Sequence, residues 1–371
     1  MINVKELQET LMKKILLIFT GGTVCSSADG EGGKNQSNAK KTGSYLENDF
    51  KVSDSLFRDT VSFESRYLEQ DILSENMTVH SWNALLRILK DASARDDLDG
   101  VIIMHGTDTL AYTSSLLSFA LVGFKVPICM VSAQLPLTDP HTNGYANFRA
   151  SVELIANGIA PNVYVVYRNM DGVLWVHYGN HLLQCANYSN DFYSRDAMTV
   201  SDESNARLEG RAYETNGAYL ENIASIEDRV LLITPHTDLS YGTLRLRGVR
   251  AVVHGTYHSQ SVCIGRAKAP EDTKNRSLSL GEVMRADRKY SILYLLSRCK
   301  RRGIPVFLAP CDGQSFNYGT TKNALDKGAY DTAGMTLEAA YAKAVVGCSL
   351  GKKGKELCLF LNSSVNHECT E

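Results

Sequence analysis

The sequence predicts an α/β protein with a larger N-terminal parallel-sheet domain and a smaller C-terminal α/β domain. Apolar, strand-like runs alternate with helical patterns over most of the 371 residues. These runs are apolar at every position rather than at every second one, which is typical of parallel strands covered on both faces. One polar stretch interrupts the alternation and indicates a division between two domains.

The N-terminal domain carries the clearest elements. Strands are predicted at 14–20, 61–65, 100–106 and 126–133, and helices from residue 78, at 109–121 and at 143–157. The first of these helices has apolar residues on one face, at i, i+3, i+4 and i+7: Trp82, Leu85, Leu86 and Leu89. A strand pair, "NVYVVYRN" and "GVLWVHYG", follows, with a turn at 170–172. This βαβα order predicts a Rossmann/flavodoxin-like sheet.

The polar stretch is rich in Asn, Glu and Ser and lies past the middle of the chain. We predict an N-terminal domain at 1–197, a linker at 198–227 and a C-terminal domain at 228–371. The second domain resumes the alternation, with strands predicted at 230–235, 249–255 and 304–310 and helices at about 280–302 and 336–349. Because the second domain has fewer elements, we expect it to be the smaller one.

Composition excludes several classes of protein. The net charge is −2 and no basic block is present, so we expect no nucleic-acid partner. The apolar run at 15–19 is too short to cross a membrane, and we expect no membrane partner. Nine irregularly spaced cysteines without a CxxC pair favour a reducing compartment. We therefore predict a cytoplasmic protein.

Two glycine turns follow predicted strands and carry hydroxyl groups. "TGGT" at 20–23 follows the first strand, and "HGTDT" at 105–109 follows a later one. Ligands of parallel sheets bind at the carboxyl ends of strands, and glycine lets the backbone approach a ligand closely. Asp108 can accept hydrogen bonds from an ammonium group, and N–H groups at a helix start can stabilise an oxyanion. Each turn alone is also compatible with an ordinary helix cap.

Other motifs do not indicate a metal or a cofactor. His177 and His181, like His254 and His258, have the i, i+4 spacing of helical zinc ligands, but both pairs lie in predicted strands or turns. The glycine- and lysine-rich segment at 30–43 lacks GxxxxGK[ST], and no GxGxxG occurs. We expect no metal and no cofactor.

Together these motifs resemble the L-asparaginase family, in particular its cytoplasmic type I branch. "TGGT" and "HGTDT" carry the resemblance, and "ILSENMT" and "SAQLPLTDPHTNGYANFRASVELI" extend it. "RGIPVFLAPC", "YGTTKNAL" and "AGMTLEAAYAK" extend it into the second domain. The resemblance implies a two-domain asparaginase-like fold. It also implies hydrolysis of the side-chain amide of L-asparagine to L-aspartate and ammonia, without metal or cofactor.

The resemblance implies a role for each matching residue. Thr23 would be the nucleophile that forms the acyl-enzyme. Thr107 would be a second catalytic threonine that assists proton transfer and the oxyanion. Asp108 would bind the α-ammonium of the substrate, Ser74 its α-carboxylate, and Glu75 would be a second ammonium contact.

The chain departs from the family where a catalytic lysine is expected. The segment "GNHLLQC" at 179–185 has Gln184 or Leu183 at that position, and no lysine lies between positions 125 and 268. An amide or an alkyl group cannot supply the charge or pass the proton, and such a loss costs roughly 10²–10⁴ in rate. Three explanations stay open: another group such as His181 substitutes, the alignment is shifted, or the protein is weakly active or only binds amino acids.

Three further positions match the family pattern less closely. The segment at 25–45 is expected to be a mobile lid, and its first tyrosine, Tyr45, is the candidate for activating the nucleophile. Asn143 stands where type I proteins tend to have Asp. Gln260 or Ser261 is the nearest match for a residue that a neighbouring subunit contributes. The resemblance implies a homodimer or homotetramer.

Rival functions share the same motifs. A glutaminase or another short-amide hydrolase differs by as little as one methylene in the substrate, worth only about 1–3 kcal/mol. A catalytically weak amino-acid-binding protein would explain the missing lysine. An amidotransferase partner that feeds ammonia to a charged tRNA is disfavoured by the lack of a basic surface signal and of an appended N-terminal domain.

Overall fold

The computed structural model describes residues 12–28, 34–37, 39–69, 72–200, 209–215, 217, 219–265, 287–312 and 318–369. The chain divides into two compact units, Met1–Ile226 and Glu227–Glu371. No helix in the described ranges combines the length and the apolar character needed to cross a membrane.

The first unit is built on a seven-stranded sheet in the order β4-β1-β5-β6-β7-β8-β9. Its strands and a two-stranded ribbon, β2-β3, are β1 (Lys13–Phe19), β2 (Ser26–Ala28), β3 (Lys34–Ser37), β4 (Val61–Tyr67), β5 (Gly100–Met104), β6 (Ile128–Val131), β7 (Val163–Arg168), β8 (Leu174–Tyr178) and β9 (Ala197–Thr199). Pairs from β4 to β7 are parallel, and β8 and β9 add to the edge antiparallel. The predicted α/β class with a parallel sheet is confirmed.

Helices cover this sheet because the strands are apolar on both faces. They are α1 (Ala39–Val52), α2 (Val79–Ser93), α3 (Leu110–Ala120), α4 (Gly144–Ala156) and the short α5 (Tyr219–Asn222). All five residues of β5 are buried, as expected for a strand between two helical layers. The apolar stripe predicted for α2 is buried, and the Thr78 side chain caps the helix by accepting from the Ser81 N–H.

Helix α1 corrects the prediction of a mobile lid over 25–45. Residues from Ala39 onward form a helix, in which Leu46 and Phe50 are fully buried. These two side chains are four residues apart and therefore lie on one helix face. Residues 29–33 and 38 of the predicted lid lie outside the described ranges.

The described part of the predicted linker is tied to the first unit. The Ala160 N–H donates to the Glu209 carbonyl at 2.8 Å, and the Asn162 side chain donates to the Arg211 carbonyl at 2.8 Å. The side chain of Asn83 bonds both the N–H and the carbonyl of Ile226, at 2.6 and 3.0 Å. Residues 201–208, 216 and 218 lie outside the described ranges.

The second unit contains a three-stranded parallel sheet in the order β10-β11-β12. Its elements are β10 (Val230–Ile233), β11 (Ala251–Gly255), α6 (Ile292–Lys300), β12 (Val306–Ala309), α7 (Gly319–Asp326), α8 (Leu337–Ser349) and α9 (Gly354–Asn362). The helix expected at about 280–302 is described only from residue 287 and is α-helical over Ile292–Lys300. Helix α9 was not predicted.

A buried ion pair joins the last described segment of the second unit to α8. Lys343 of α8 and Glu368 form a salt bridge, and both side chains are 0% exposed. The Lys343 ammonium also donates to the Leu361 carbonyl at 3.2 Å, and the Glu368 carboxylate accepts from the Asn366 N–H at 2.8 Å. The pair therefore anchors the segment after α9 to α8.

Candidate active site

The two glycine turns meet backbone to backbone at the carboxyl edge of the first sheet. Gly21 and Gly22 have φ angles of +112° and +83°, which residues with a side chain rarely adopt. A Cβ on Gly22 would lie 2.4 Å from the Cα of Gly106, and a Cβ on Gly21 would lie 2.5 Å from the carbonyl oxygen of Ile72. Only glycine allows this approach, so the TGGT turn lies directly against the HGTDT turn, as predicted for two strand ends of one sheet.

Thr20 and Thr23 have different surroundings. The Thr20 side chain is buried and donates to the Met104 carbonyl at 2.8 Å, so it fastens β1 to β5. Thr23 begins a 3-10 helix, Thr23–Cys25, whose other two residues are buried. Thr23 is only half-buried. Of the two threonines of the TGGT turn, Thr23 is therefore the more accessible.

Ser74 and Asp108 are joined by a reciprocal contact. The Ser74 hydroxyl donates to the Asp108 carboxylate and accepts from the Asp108 N–H, each at 3.1 Å. The Thr109 hydroxyl donates to the Ser74 carbonyl at 2.8 Å. Ser74 is 2% exposed. Its hydroxyl is thus engaged in holding Asp108, while Glu75 beside it is exposed.

Gln184 also contacts Asp108, at its backbone carbonyl. Its side-chain amide donates to the Asp108 carbonyl at 2.6 Å. The side chain of Leu183 is 42% exposed, and its N–H bonds the Tyr193 carbonyl at 3.0 Å. Of the two residues expected at the position of the family's lysine, Gln184 is therefore the one that reaches the HGTDT turn. It brings two N–H donors and a carbonyl but no charge.

His181 lies in a different cluster. Its ring packs edge-on against Tyr178 at 5.8 Å between centroids, and its Nδ1 lies 4.0 Å from the Asp196 carboxylate. Arg211 stacks over the same Tyr178 ring at 4.5 Å. The Nδ1 of the nearby His177 forms a hydrogen bond with the Ser194 hydroxyl at 2.8 Å. Burial lowers the pKa of His177 to about 4. In the described ranges no cluster of three or more His, Cys, Asp or Glu side chains could hold a metal ion.

Tyr45 lies in α1, which packs against the Thr23–Cys25 helix. Its ring is partly buried against the hydrophobic core, and the Lys41 ammonium lies 5.6 Å from its centroid. Tyr45 is therefore carried by a packed helix rather than by a loop.

Asn143 and Gln260 hold backbone segments. The Asn143 side chain accepts from the Gln134 N–H at 3.1 Å and donates to the Arg168 carbonyl at 2.8 Å. An aspartate could not make the second bond. In the second unit, Gln260 has a φ of +58°, and its carbonyl accepts from the Thr321 hydroxyl at 2.7 Å. The Ser261 hydroxyl pairs with that of Ser259 at 3.0 Å.

Sequence reasoning missed two features of this site. It did not assign Thr109 or the backbone of Ile72, whose N–H donates to the Thr20 carbonyl at 2.9 Å. The available signal was the position of Ile72 two residues before Ser74, in the segment "ILSENMT" that extends the family resemblance.

Comparisons with known proteins agree on one family. A family profile described as "Asparaginase, N-terminal" matches residues 14–209. An L-asparaginase of Thermococcus kodakarensis is 30% identical over 165 residues, which cover 43% of this chain and 45% of that protein. A glutamyl-tRNA(Gln) amidotransferase subunit from Thermoplasma acidophilum is 36% identical over 140 residues, covering 38% of this chain and 32% of the relative. The matched segments thus span less than half of these relatives.

Solved structures extend the similarity over both units. The thermostable L-asparaginase from Thermococcus kodakarensis superposes with a TM-score of 0.68 at 22% identity, covering 96% of this chain and 99% of that one. L-asparaginase I from Vibrio cholerae superposes with a TM-score of 0.65 at 22% identity, covering 97% and 100%. At this identity the likeness shows that the fold is shared.

Proposed function

Because the chain belongs to the asparaginase family, we propose that it is an amidohydrolase that converts L-asparagine to L-aspartate and ammonia. The observation that carries the proposal is the contact between Gly22 and Gly106. This contact sets the half-buried Thr23 and Thr107 on two facing turns at the ligand-binding edge of the sheet. A side chain at Gly22 would collide with the backbone of Gly106. The spacing between Thr23 and Thr107 is therefore set by the contact between the two backbone turns.

Thr23 is the nucleophile of the proposed reaction. Its hydroxyl oxygen bonds to the amide carbon, and its proton passes to the leaving nitrogen, so the C–N bond breaks and ammonia departs. Water then adds to the acyl-enzyme, aspartate leaves, and the Thr23 hydroxyl regains its proton. Thr107 assists these transfers and stabilises the oxyanion. Tyr45, on the helix beside Thr23, is the candidate for orienting the nucleophile.

Asp108 is the proposed ammonium site. The residue is exposed; Ser74 donates to its carboxylate, and Gln184 donates to its backbone carbonyl. Glu75, also exposed, offers a second carboxylate to the same ammonium. For Ser74 to bind the α-carboxylate of the substrate, its hydroxyl must exchange Asp108 for the substrate. The residue therefore acts at least as a positioning group for Asp108.

A second candidate function follows from Gln184. This neutral amide stands where the family resemblance expects a lysine that activates the second threonine, and it donates to the Asp108 backbone carbonyl. Without that charge, the site would bind asparagine or aspartate and turn over slowly. An amino-acid-binding protein with weak hydrolysis is therefore the alternative to an efficient enzyme.

The remaining parts of the proposal concern substrate range and context. Glutamine is the alternative substrate, since one methylene separates the two amides. The similarity to a glutamyl-tRNA(Gln) amidotransferase subunit makes delivery of ammonia to a partner protein a further alternative. We propose a homodimer or homotetramer. A reducing cytoplasm is consistent with nine cysteines, none of which forms a disulfide within the described ranges.

Ammonia release from asparagine and from glutamine tests the hydrolase. We expect the wild type to release ammonia from asparagine faster than from glutamine, and Thr23→Ala to lose at least about 10³-fold in kcat. Thr243→Ala, at an exposed threonine of the second unit, is the control and should retain full activity. Equal rates in Thr23→Ala and the wild type would exclude Thr23 as the nucleophile.

The variant Gln184→Lys distinguishes an efficient hydrolase from an amino-acid-binding protein with weak hydrolysis. If the missing charge limits turnover, kcat should rise by at least about tenfold, since general acid–base groups contribute roughly 10²–10⁴. If another group already supplies the proton transfer, the substitution should leave kcat unchanged or lower it. Binding is followed independently through the rise in Tm that asparagine or aspartate produces.

A further inference from the structure

The same three-residue motif lies at the end of an interior strand in each sheet. Residues 105–107, which follow β5, and residues 254–256, which span the end of β11, both read His-Gly-Thr. In both, the histidine Nδ1 lies within hydrogen-bond distance of the next glycine's carbonyl, at 2.7 Å for Gly106 and 2.6 Å for Gly255. A carbonyl only accepts, so Nδ1 carries the proton in both rings. When the rings are neutral, Nε2 is therefore an acceptor.

The two motifs differ at Nε2. His254 is fully buried, and its Nε2 accepts from the Tyr241 hydroxyl at 2.9 Å. His105 is equally buried, but its Nε2 has no hydrogen-bond partner within the described ranges. Burial lowers the pKa of each ring to about 4, so both rings are neutral near pH 7. A buried acceptor of this kind is normally satisfied, by protein or by ordered water.

Two further polar side chains share the sheet face of His105. Met104, Val131 and Val166 are aligned on neighbouring strands and pack in the core on one face. The next residue on each strand therefore points to the opposite face: His105, Ser132 and Tyr167. All three are 0% exposed.

Ser132 and Tyr167 bring hydroxyl groups to this face. The Ser132 Oγ, like the His105 Nε2, has no hydrogen-bond partner among the described residues. Burial raises the pKa of Tyr167 to about 12, and the Asn143 side chain lies beside its hydroxyl. Side chains from adjacent strands start about 4.8 Å apart, so one water molecule can join polar groups that have no direct partner.

We propose that His105, Ser132 and Tyr167 bind one buried water molecule beneath the HGTDT turn. This water donates a hydrogen bond to the His105 Nε2, as the Tyr241 hydroxyl donates one to the His254 Nε2. Its other bonds are to the Ser132 and Tyr167 hydroxyls, which makes the three partners that a buried water usually has. Because His105 also holds the Gly106 carbonyl, the water fixes the backbone that carries Thr107 and Asp108. His105 and Ser132 are thus positioning residues, and this last step rests on the proposed function.

A crystal structure of the full chain tests the water directly. We expect a single density peak within about 3.2 Å of both the His105 Nε2 and the Ser132 Oγ. The peak should be lost or weakened in Ser132→Ala. A structure in which His105 Nε2 bonds a protein donor directly, or in which no peak lies between these atoms, would overturn the proposal.

Kinetics test the positioning role. We expect Ser132→Ala to lower kcat roughly fivefold, as for loss of one hydrogen bond, with KM changed less than about twofold. Ser151→Ala removes another fully buried hydroxyl, one that bonds its own helix at the Asn147 carbonyl, and should leave kcat unchanged. Equal losses in both variants would leave only a structural role and refute positioning.

Two histidine variants separate the contacts of the ring. His105→Asn keeps a donor near the Nδ1 position but does not reach Nε2, whereas His105→Gln reaches the Nε2 position. The Asn variant keeps the bond to the Gly106 carbonyl and loses only the contact with the water, so we expect its kcat to fall about as far as in Ser132→Ala. The Gln variant loses the bond to Gly106 and should lose more activity. A wild-type kcat in the Asn variant would contradict the water's role. If the wild type hydrolyses no amide, the proposed function fails while the crystallographic test still decides whether the water is bound.

Discussion

Replacing Gly22 by alanine tests the contact on which the site is built. The added methyl group would lie 2.4 Å from the Cα and from the N of Gly106, both backbone atoms that no rotamer change can move away. An ordinary contact begins at 3.4 Å, so the two turns must separate by about 1 Å. The residue also has a φ of +83°, which alanine adopts only with strain.

The expected effects are large in both stability and rate. The strained φ costs about 1–2 kcal/mol, and forcing a methyl group into a packed contact costs about 1–3 kcal/mol more. We therefore expect the free energy of unfolding to fall by about 2–5 kcal/mol. A displacement of about 1 Å at catalytic groups costs roughly 10² in rate, so kcat/KM for asparagine should fall about 100-fold.

Gly303→Ala is the matched control. Gly303 also has a positive φ, +65°, but nothing lies within 4 Å of the position of its added methyl group. The control should lose about 1–2 kcal/mol of stability and no activity. Urea unfolding and ammonia release are measured on both variants. The reasoning is refuted if Gly22→Ala matches the control in both measurements, since the turns would then not be in contact.

Three further predictions concern stability. Glu368→Gln leaves the ammonium of Lys343 buried without its carboxylate, and the free energy of unfolding should fall by about 3–5 kcal/mol in urea. Asn143→Asp removes the donor to the Arg168 carbonyl and should cost roughly 1–3 kcal/mol. Because burial lowers the pKa of His254 to about 4, the unfolded chain binds this proton first as the pH falls below about 6.5. His254 alone should then lower the stability by up to roughly 1.4 kcal/mol per pH unit down to about pH 4, and His254→Gln should remove this part of the wild-type slope.

Each of these predictions has a surface control. Glu356→Gln breaks an exposed pair with Lys352 and should change stability by less than about 1 kcal/mol. Asn190→Asp and His141→Gln alter exposed side chains and should leave stability and its pH slope nearly unchanged. A loss in Glu368→Gln no larger than in Glu356→Gln would mean that the buried pair contributes nothing specific. If the free energy of unfolding of His254→Gln falls with pH as steeply as that of the wild type, other groups cause the loss of stability in acid.

The parallel sheet and both glycine turns were predictable because their signals are local. Apolar runs followed by glycine identify buried strands and their ends, whatever the rest of the chain does. Helix α1 was missed because its residues are mostly polar and because Gly43 lowers helix propensity. The structure explains that glycine, since a Cβ there would lie 3.2 Å from the Phe19 ring. The close packing of α1 on β1 outweighs the local preference.

The contacts within the candidate site were less predictable because they join distant parts of the chain. Ser74 reads as a loop residue, and only its distance of 3.1 Å from Asp108 reveals that its hydroxyl is engaged. Gln184 and Leu183 are adjacent, and their sequence context does not distinguish them. The bridge between Leu182 and Ser194 turns the chain so that Gln184 meets the Asp108 carbonyl. Such choices depend on tertiary geometry, which residue types alone do not encode.

Because Lys343 is buried, the chemical reactivity of its amine reports how often the second unit opens. An amine-reactive reagent modifies exposed lysines within minutes, but it reaches a side chain that is 0% exposed only when α8 and the segment around Glu368 separate. The modification rate at this one residue, read by mass spectrometry, therefore measures how often the second unit opens under native conditions. A ligand that stabilises the second unit would slow it, while labelling of surface lysines would continue at the same pace.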